Sequence, residues 1–263
     1  MFFIFTSVCY IITIGVKIIF VSNNINQRFL SGFILLAIIA SSIFLGSYYF
    51  ELMLLIILSL ILVEILIISD SFSTKNYFIL FISTMITYMY FPNNFWLLYI
   101  YPFSVFCALR RSSLHLIFYL IMILFSLAYI KFLFALNIII LFWIIGIVIL
   151  TDMFGMIFGN LLRGPKLSTL SPNKHWSGVF AGWFISVLFT YILYTFNIIP
   201  NFELVILSIF ISILAQMGDL YESFLKRQSS LKDVSDLLPG HGGFLDRFDS
   251  WIFVFGSFYL ASQ

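Results

Sequence analysis

Near the C-terminal end of this chain, a His, several Gly, two Asp and an Arg crowd together in PGHGGFLDRFDS, Pro239 to Ser250. Asp246 and Asp249 are three positions apart, so on a helix they share a face. Carboxylates with one His and no Cys nearby suit a hard cation, Mg2+ rather than Zn2+. Mg2+ held by one or two carboxylates plus phosphate oxygens is the usual nucleotide arrangement. Pro239, Gly240, Gly242 and Gly243 break any helix and let the backbone turn sharply. A helix starting near Gly243 would leave the N–H groups of its first turn free for an anion such as a phosphate. Lys226, Arg227, Lys232 and Arg247 add positive charge to the same region. The chemistry this set can do is phosphate and metal chemistry. For His241 taken alone, a plainer role in satisfying backbone groups of the Gly turn is as good an account.

Two further stretches can contribute. In DLYESFLKR, 219–227, the positions Asp219, Glu222, Ser223 and Lys226 fall on one helical face. The plainer account is an amphipathic helix end with pairing between residues three and four apart. Upstream, TDMFGMIFGNLLRGPKLSTLSPNKHWSG places Asp152 at the end of an apolar run and follows it with Arg163, Lys166 and Lys174. Ser171 is placed to cap the next helix. A basic loop beside a membrane also attracts anionic headgroups, at about 1 kcal/mol per residue.

The elements that must position these residues are membrane helices. Of 263 residues, 62% are hydrophobic and 9% charged, where a soluble domain carries about 25% charged. Mean hydropathy is +1.12. Apolar runs fall near 3–21, 30–48, 52–69, 77–91, 95–109, 114–130, 133–150, 178–198, 203–218 and 250–262. Most approach the ~20 residues that cross a bilayer as a helix. The expected fold is all-α, a polytopic integral membrane protein of about nine or ten transmembrane helices with a cytoplasm-facing polar active site. A signal peptide cannot explain runs that continue along the whole chain. Cys9 and Cys107 lie in apolar runs without metal or disulfide spacing and read as small buried hydrophobes.

The basic residues set the orientation. Arg28, Lys75, Arg110, Arg111, Arg163, Lys166, Lys174, Lys226, Arg227, Lys232 and Arg247 fall in alternate connections, leaving Lys17 within the first run and Lys131 on the opposite side. That asymmetry makes the basic face cytoplasmic. Two connections on it, 151–177 and 219–249, are too long for plain turns, and one helical hairpin, 178–218, separates them, so they can meet. Of the 11 acidic residues, Asp219, Glu222, Asp233, Asp236, Asp246 and Asp249 lie in 219–249. Acids gathered near a bilayer mark a functional site unless they are simply solvated loops. Three regions follow: 1–27, an N-terminal apolar segment that could be an extra helix; 28–150, N-terminal transmembrane helices; and 151–263, a catalytic transmembrane region. The net charge of +2 gives no reason to expect nucleic acid as a partner.

With these residues in view, the segment SFLKRQSSLKDVSDLLPGHGGFLDRFD, Ser223 to Asp249, resembles the signature of phosphatidate cytidylyltransferases (CDP-diacylglycerol synthases). The pattern's fixed positions are filled by Ser223, Lys226, Arg227, Lys232, Asp233, His241, Gly242, Gly243, Asp246, Arg247 and Asp249. MGDLYES, Met217 to Ser223, resembles the family's Gly-Asp-x-x-Glu-Ser lead-in, and the stretch from Asp152 through Ser171, Pro172, Lys174 and Trp176 resembles its upstream loop. Arg28 with Ser31 resembles the family's start, and Glu64 sits where the family often has an acid in an early helix. The chain departs from the pattern at His175 and Ser177, where Thr and then Glu or Gln are usual, and at Met153 and Phe154, where a small residue is usual.

The resemblance implies a membrane enzyme that joins CTP to phosphatidic acid, giving CDP-diacylglycerol and pyrophosphate with Mg2+ as cofactor. It implies that Asp219 and Asp246 hold the metal, with Asp249 and Ser223 as further or supporting ligands. Lys226, Arg227, Lys232 and Arg247 would neutralise the triphosphate and the lipid phosphate. Asp233 belongs to the same catalytic motif. His241, Gly242 and Gly243 would let the backbone approach phosphate, and Asp152 and Lys174 would complete the site. Membrane lipids are partners, and a homodimer is among the arrangements to test. A chain without a long soluble extension favours the bacterial inner membrane. Two enzymatic alternatives are a CTP-dependent lipid kinase of the dolichol-kinase type and a cytidylyltransferase for another lipid phosphate. A transporter would bury charge at mid-bilayer on paired discontinuous helices, whereas these charges gather at one edge.

Overall fold

The computed structural model describes residues 37–69, 76, 79, 81–83, 114–168, 171, 174–231, 234–235 and 243–262. The expected spans 3–21, 77–91 and 95–109 fall wholly or largely outside them. Six helices carry the described fold: α1, Ser47–Ile68; α2, Leu114–Leu136; α3, Ile138–Leu162; α4, Trp176–Thr195; α5, Glu203–Gln228; and α6, Leu245–Ala261. A helical segment, 37–45, precedes α1 and ends at Gly46, whose φ of 108° is open to glycine alone at low cost. Helices α1 to α5 are each long and apolar enough to cross a membrane. At 22 residues, α1 reaches about 33 Å, the thickness of a hydrocarbon core. Among the described residues there is no strand beyond one isolated bridge, Lys166 to His175. The chain is therefore an all-helical integral membrane protein.

Two helix ends differ from those read off the sequence. Lys131 does not mark a turn: α2 runs through it to Leu136, because its ammonium pairs with Glu51 of α1 at 3.1 Å and stays at the helix surface. The turn falls instead at Asn137, whose side chain accepts from the Ile140 N–H at 3.2 Å and caps α3. Nor does Asp152 end a helix. α3 continues ten residues further to Leu162, so half of the supposed loop is helix. The helix stops where Arg163 and Gly164 take positive φ, 52° and 108°.

The reason α3 continues is its packing on α4. Gly155 and Gly159 of α3 face Gly178 of α4, where a Cβ would collide with the Gly155 carbonyl oxygen. Small residues let two backbones approach where lipid provides no hydrophobic drive for association. Polar side chains tie the same helices together. Thr151 donates to Ser212 at 3.0 Å, Trp143 to Thr190 at 3.0 Å, and Gln216 to the Val179 carbonyl at 3.3 Å. On the other side, Leu58, Leu62 and Ile65 of α1 pack with Leu120 and Ile123 of α2 and Phe255 of α6 in an apolar core. α6 thus lies between a dry apolar layer and the small-residue layer of α3, α4 and α5. Gly218 of α5 lets it come close: a Cβ there would lie 2.6 Å from the Asp249 carbonyl oxygen.

Candidate active site

The α5–α6 crossing at Gly218 sets the site. Because α6 passes directly over Gly218, the neighbouring Asp219 meets Asp249. Glu222, three residues on, shares the face of Asp219. Asp219, Glu222 and Asp249 each offer an oxygen, and these lie within 4.8 Å of one another. Glu222 and Asp249 are buried, at 1% and 5% exposed. Asp249 accepts from the Ser250 N–H at 2.7 Å, and the Ser250 hydroxyl reaches Asp152 at 3.5 Å. Acids from three helices, α3, α5 and α6, are thus linked. The two long connections of the sequence do meet.

Two lysines partner these acids. Lys174, just ahead of α4, forms an ion pair with Asp219. Lys226 contacts Glu222 at 3.1 Å and forms an ion pair with Asp246. The second oxygen of Asp246 accepts from the Gly243 N–H at 2.9 Å. Around this cluster opens a cavity of about 510 Å³, walled by Asp152, Lys174, Asp219, Lys226, Arg247 and Asp249 among others. His175 also lines it, with a buried Nδ1 that makes no hydrogen bond.

The residues fit a divalent cation. Every donor in the cluster is a carboxylate oxygen, the set a hard ion prefers. Glu222 Oε1 is buried with no hydrogen-bond donor, a costly state unless a cation meets it. Among the described residues, Asp152, Asp219, Glu222, Asp246 and Asp249 line the cavity together with the cations Lys174, Lys226 and Arg247. If all are ionised, two negative charges are left over, which one divalent ion balances.

The structure groups Glu222 with Asp219 and Asp249, while Asp246 is engaged by Lys226 and the Gly243 N–H. The signal for Glu222 was its place one turn after Asp219. Lys226, Arg247, Asp152 and Lys174 come together on the cavity wall. Ser223 is half-buried on α5, and Arg227 is exposed, donating to the Leu231 carbonyl at 3.3 Å. Lys232, Asp233, His241 and Gly242 lie outside the described residues.

The start of α6 corrects one expectation. The N–H groups of Gly243, Phe244 and Leu245 are already taken by carboxylates of the chain. Glu64 of α1 accepts from Phe244 at 2.9 Å and Leu245 at 2.6 Å, and Asp246 takes Gly243. The chain's own carboxylates fill the place of the anion, as the positive end of a helix favours. An acid inside the apolar run 52–69 was the sequence signal for Glu64.

A model of the Cytidylyltransferase family matches residues 26–263. A phosphatidate cytidylyltransferase of Staphylococcus epidermidis is 44% identical over 108 residues, covering 40% of this chain and 42% of that protein. One from Rickettsia conorii is 42% identical over 113 residues, covering 38% and 48%. One from Brucella abortus is 40% identical over 112 residues, covering 42% of each. The chain's match thus spans less than half the length of these curated relatives.

Proposed function

Because the chain belongs to the Cytidylyltransferase family, we propose that it transfers the cytidylyl group of CTP to phosphatidic acid. One observation carries the reading: the acids Asp219, Glu222 and Asp249, the last two buried, open onto a 510 Å³ cavity that Lys174, Lys226 and Arg247 also line. A cavity rich in both signs of charge, among helices that cross a membrane, suits two polyanionic reactants of which one is a lipid. The phosphatidate oxygen is already ionised at neutral pH and needs no strong general base. It attacks the α-phosphorus of CTP in line. A new P–O bond forms, the bond to the bridging oxygen of the β-phosphate breaks, and pyrophosphate leaves with that electron pair. CDP-diacylglycerol remains.

The chain's own contribution is positioning and charge neutralisation. Lys226 is held in place by Glu222 and Asp246, and Lys174 by Asp219, so both ammonium groups are oriented before substrate arrives. Arg247 extends the positive rim. Asp219, Glu222 and Asp249 would hold Mg2+, which when bound supplies countercharge to the phosphates. The site would face the cytoplasm, with the basic connections on the same side, in a bilayer that we take to be the bacterial inner membrane. The full chain would then have nine or ten spans.

The test is purified protein in detergent with CTP, Mg2+ and phosphatidic acid. CDP-diacylglycerol and pyrophosphate in equal amounts are expected. Release of CDP with a phosphorylated lipid would instead identify a lipid kinase. Faster turnover of an isoprenoid lipid phosphate than of phosphatidic acid would move the lipid substrate.

A further inference from the structure

Glu64 has no part in the transfer chemistry and does not line the cavity, yet it is fully buried, at 0% exposed. Burying a carboxylate costs several kcal/mol unless hydrogen bonds replace its water. Here three do. Oε1 accepts from the Phe244 N–H at 2.9 Å and from the Ser235 hydroxyl at 2.5 Å, and Oε2 accepts from the Leu245 N–H at 2.6 Å. These backbone donors are the ones that a helix start leaves unsatisfied. Gly243 makes room for the carboxylate, since a Cβ there would lie 2.7 Å from Glu64 Oε1. A second tie holds the same end of α1: the Ser229 hydroxyl donates to the Ile68 carbonyl at 2.6 Å. The end of α1 is therefore fastened both to the end of α5 and to the start of α6.

The first two turns of α6 carry Asp246, Arg247 and Asp249. On the α5 side Asp246 is drawn to Lys226. On the α1 side only backbone N–H groups are offered, and Glu64 takes them. We propose that Glu64 is a positioning residue for cytidylyl transfer. It clamps the first turn of α6 so that Asp249 meets Asp219 and Glu222, and Arg247 meets the cavity, in one arrangement. The inference rests on the function proposed above for its effect on turnover. The clamp itself does not depend on that reading.

The test uses the full chain in detergent, as wild type, Glu64→Gln and Gly243→Ala. The glutamine keeps the size but has one acceptor oxygen and turns an N–H2 towards the donors. The alanine keeps the glutamate but pushes its carboxylate away from the start of α6. Hydrogen exchange of peptides covering 243–249 reads the clamp without any reaction. It should rise in both variants while the rest of α6 stays protected. Per folded molecule, kcat should fall by about 100-fold, the scale of a ~1 Å misplacement. KM for CTP and phosphatidic acid should change less than about threefold, because a role in fold stability alone would lower the folded yield and leave kcat intact. Wild-type exchange and kcat in folded Glu64→Gln would overturn the proposal. If that variant does not fold, wild-type kcat in Gly243→Ala overturns it equally. A wild-type protein that makes no CDP-diacylglycerol would sink the proposed function, while the exchange data would still decide the clamp.

Discussion

The two sides of α6 are built on different principles. Against α1 and α2 it meets large apolar side chains, with aromatic pairs such as Phe125–Tyr259 and Tyr129–Phe258 among them, and more than half of each of those helices is buried. Against α5, with α3 and α4 behind, the contacts run through Gly155, Gly159, Gly178, Gly182 and Gly218, and only about a third or less of each of α3, α4 and α5 is buried. The first side is dry packing that gives α6 a fixed seat. Both sides have a close backbone crossing, at Gly256 against the Met122 carbonyl and at Gly218 against the Asp249 carbonyl, but the second also leaves a cavity and places polar side chains where they meet. The difference separates support from chemistry. Mass and burial serve stability on one side, and charge beside a cavity serves the site on the other. Among the described residues, Glu64 is the acid of the dry layer that reaches the chemical end.

The comparison breaks most sharply at the carboxylates. Asp249→Asn, Asp219→Asn and Glu222→Gln should each lower CDP-diacylglycerol synthesis by about 1000-fold or more, as loss of a preorganised charge does, with membrane insertion unchanged by immunoblot. Asp246→Asn should be similarly inactive, since it frees Lys226 from its place. Near-normal turnover in any of these would remove that residue from the site.

Gly178→Val comes next. The side chain would force α3 and α4 apart and cost about 1–3 kcal/mol of stability. Because Asp152 lies on α3 and Lys174 just ahead of α4, activity per folded molecule should fall by about 100-fold. A variant that loses only thermal stability would show that the close crossing is structural alone.

Leu62→Ala tests the dry side and should show the reverse pattern. Leu62 is fully buried in α1. Its truncation should cost about 2–5 kcal/mol, seen as a lower thermal midpoint in detergent. Turnover per folded molecule should stay within about twofold. A larger loss of kcat than of stability would mean that the apolar layer shapes the site directly. The smallest effect belongs to Lys131→Ala. Its pair with Glu51 is more than one-third exposed on both sides, so roughly 0–1 kcal/mol is at stake and activity should not change.

Much of this was legible in the chain. Apolar runs of span length marked the helices, and the hairpin of α4 and α5 falls where the run pattern put it, with Asn197 in its turn at positive φ. Charges set three and four apart placed Asp219, Glu222 and Lys226 on one face. What was not legible is partnership. Asp152 read as a helix end because a polar residue closed an apolar run, yet α3 continues because glycines allow α4 against it. Asp246 and Asp249 read alike from their spacing, yet one meets Lys226 and the other meets Asp219 and Glu222. The open helix start at Gly243 read as a phosphate seat and is instead occupied from α1.

The sequence by itself determined that this is a helical membrane protein with acids and bases gathered at one edge, and which motif they form. Hydropathy and residue spacing are local quantities, summed along the chain, and they survive without knowledge of the fold. Only the tertiary structure decided which carboxylates share a site, which are neutralised by lysine, and which one clamps a helix. Those outcomes depend on distances between residues well separated along the chain, such as Lys226 and Asp246, 20 positions apart, and Glu64 and Leu245, 181 apart. Such distances are set by how closely two helix backbones can approach, and no linear spacing records that.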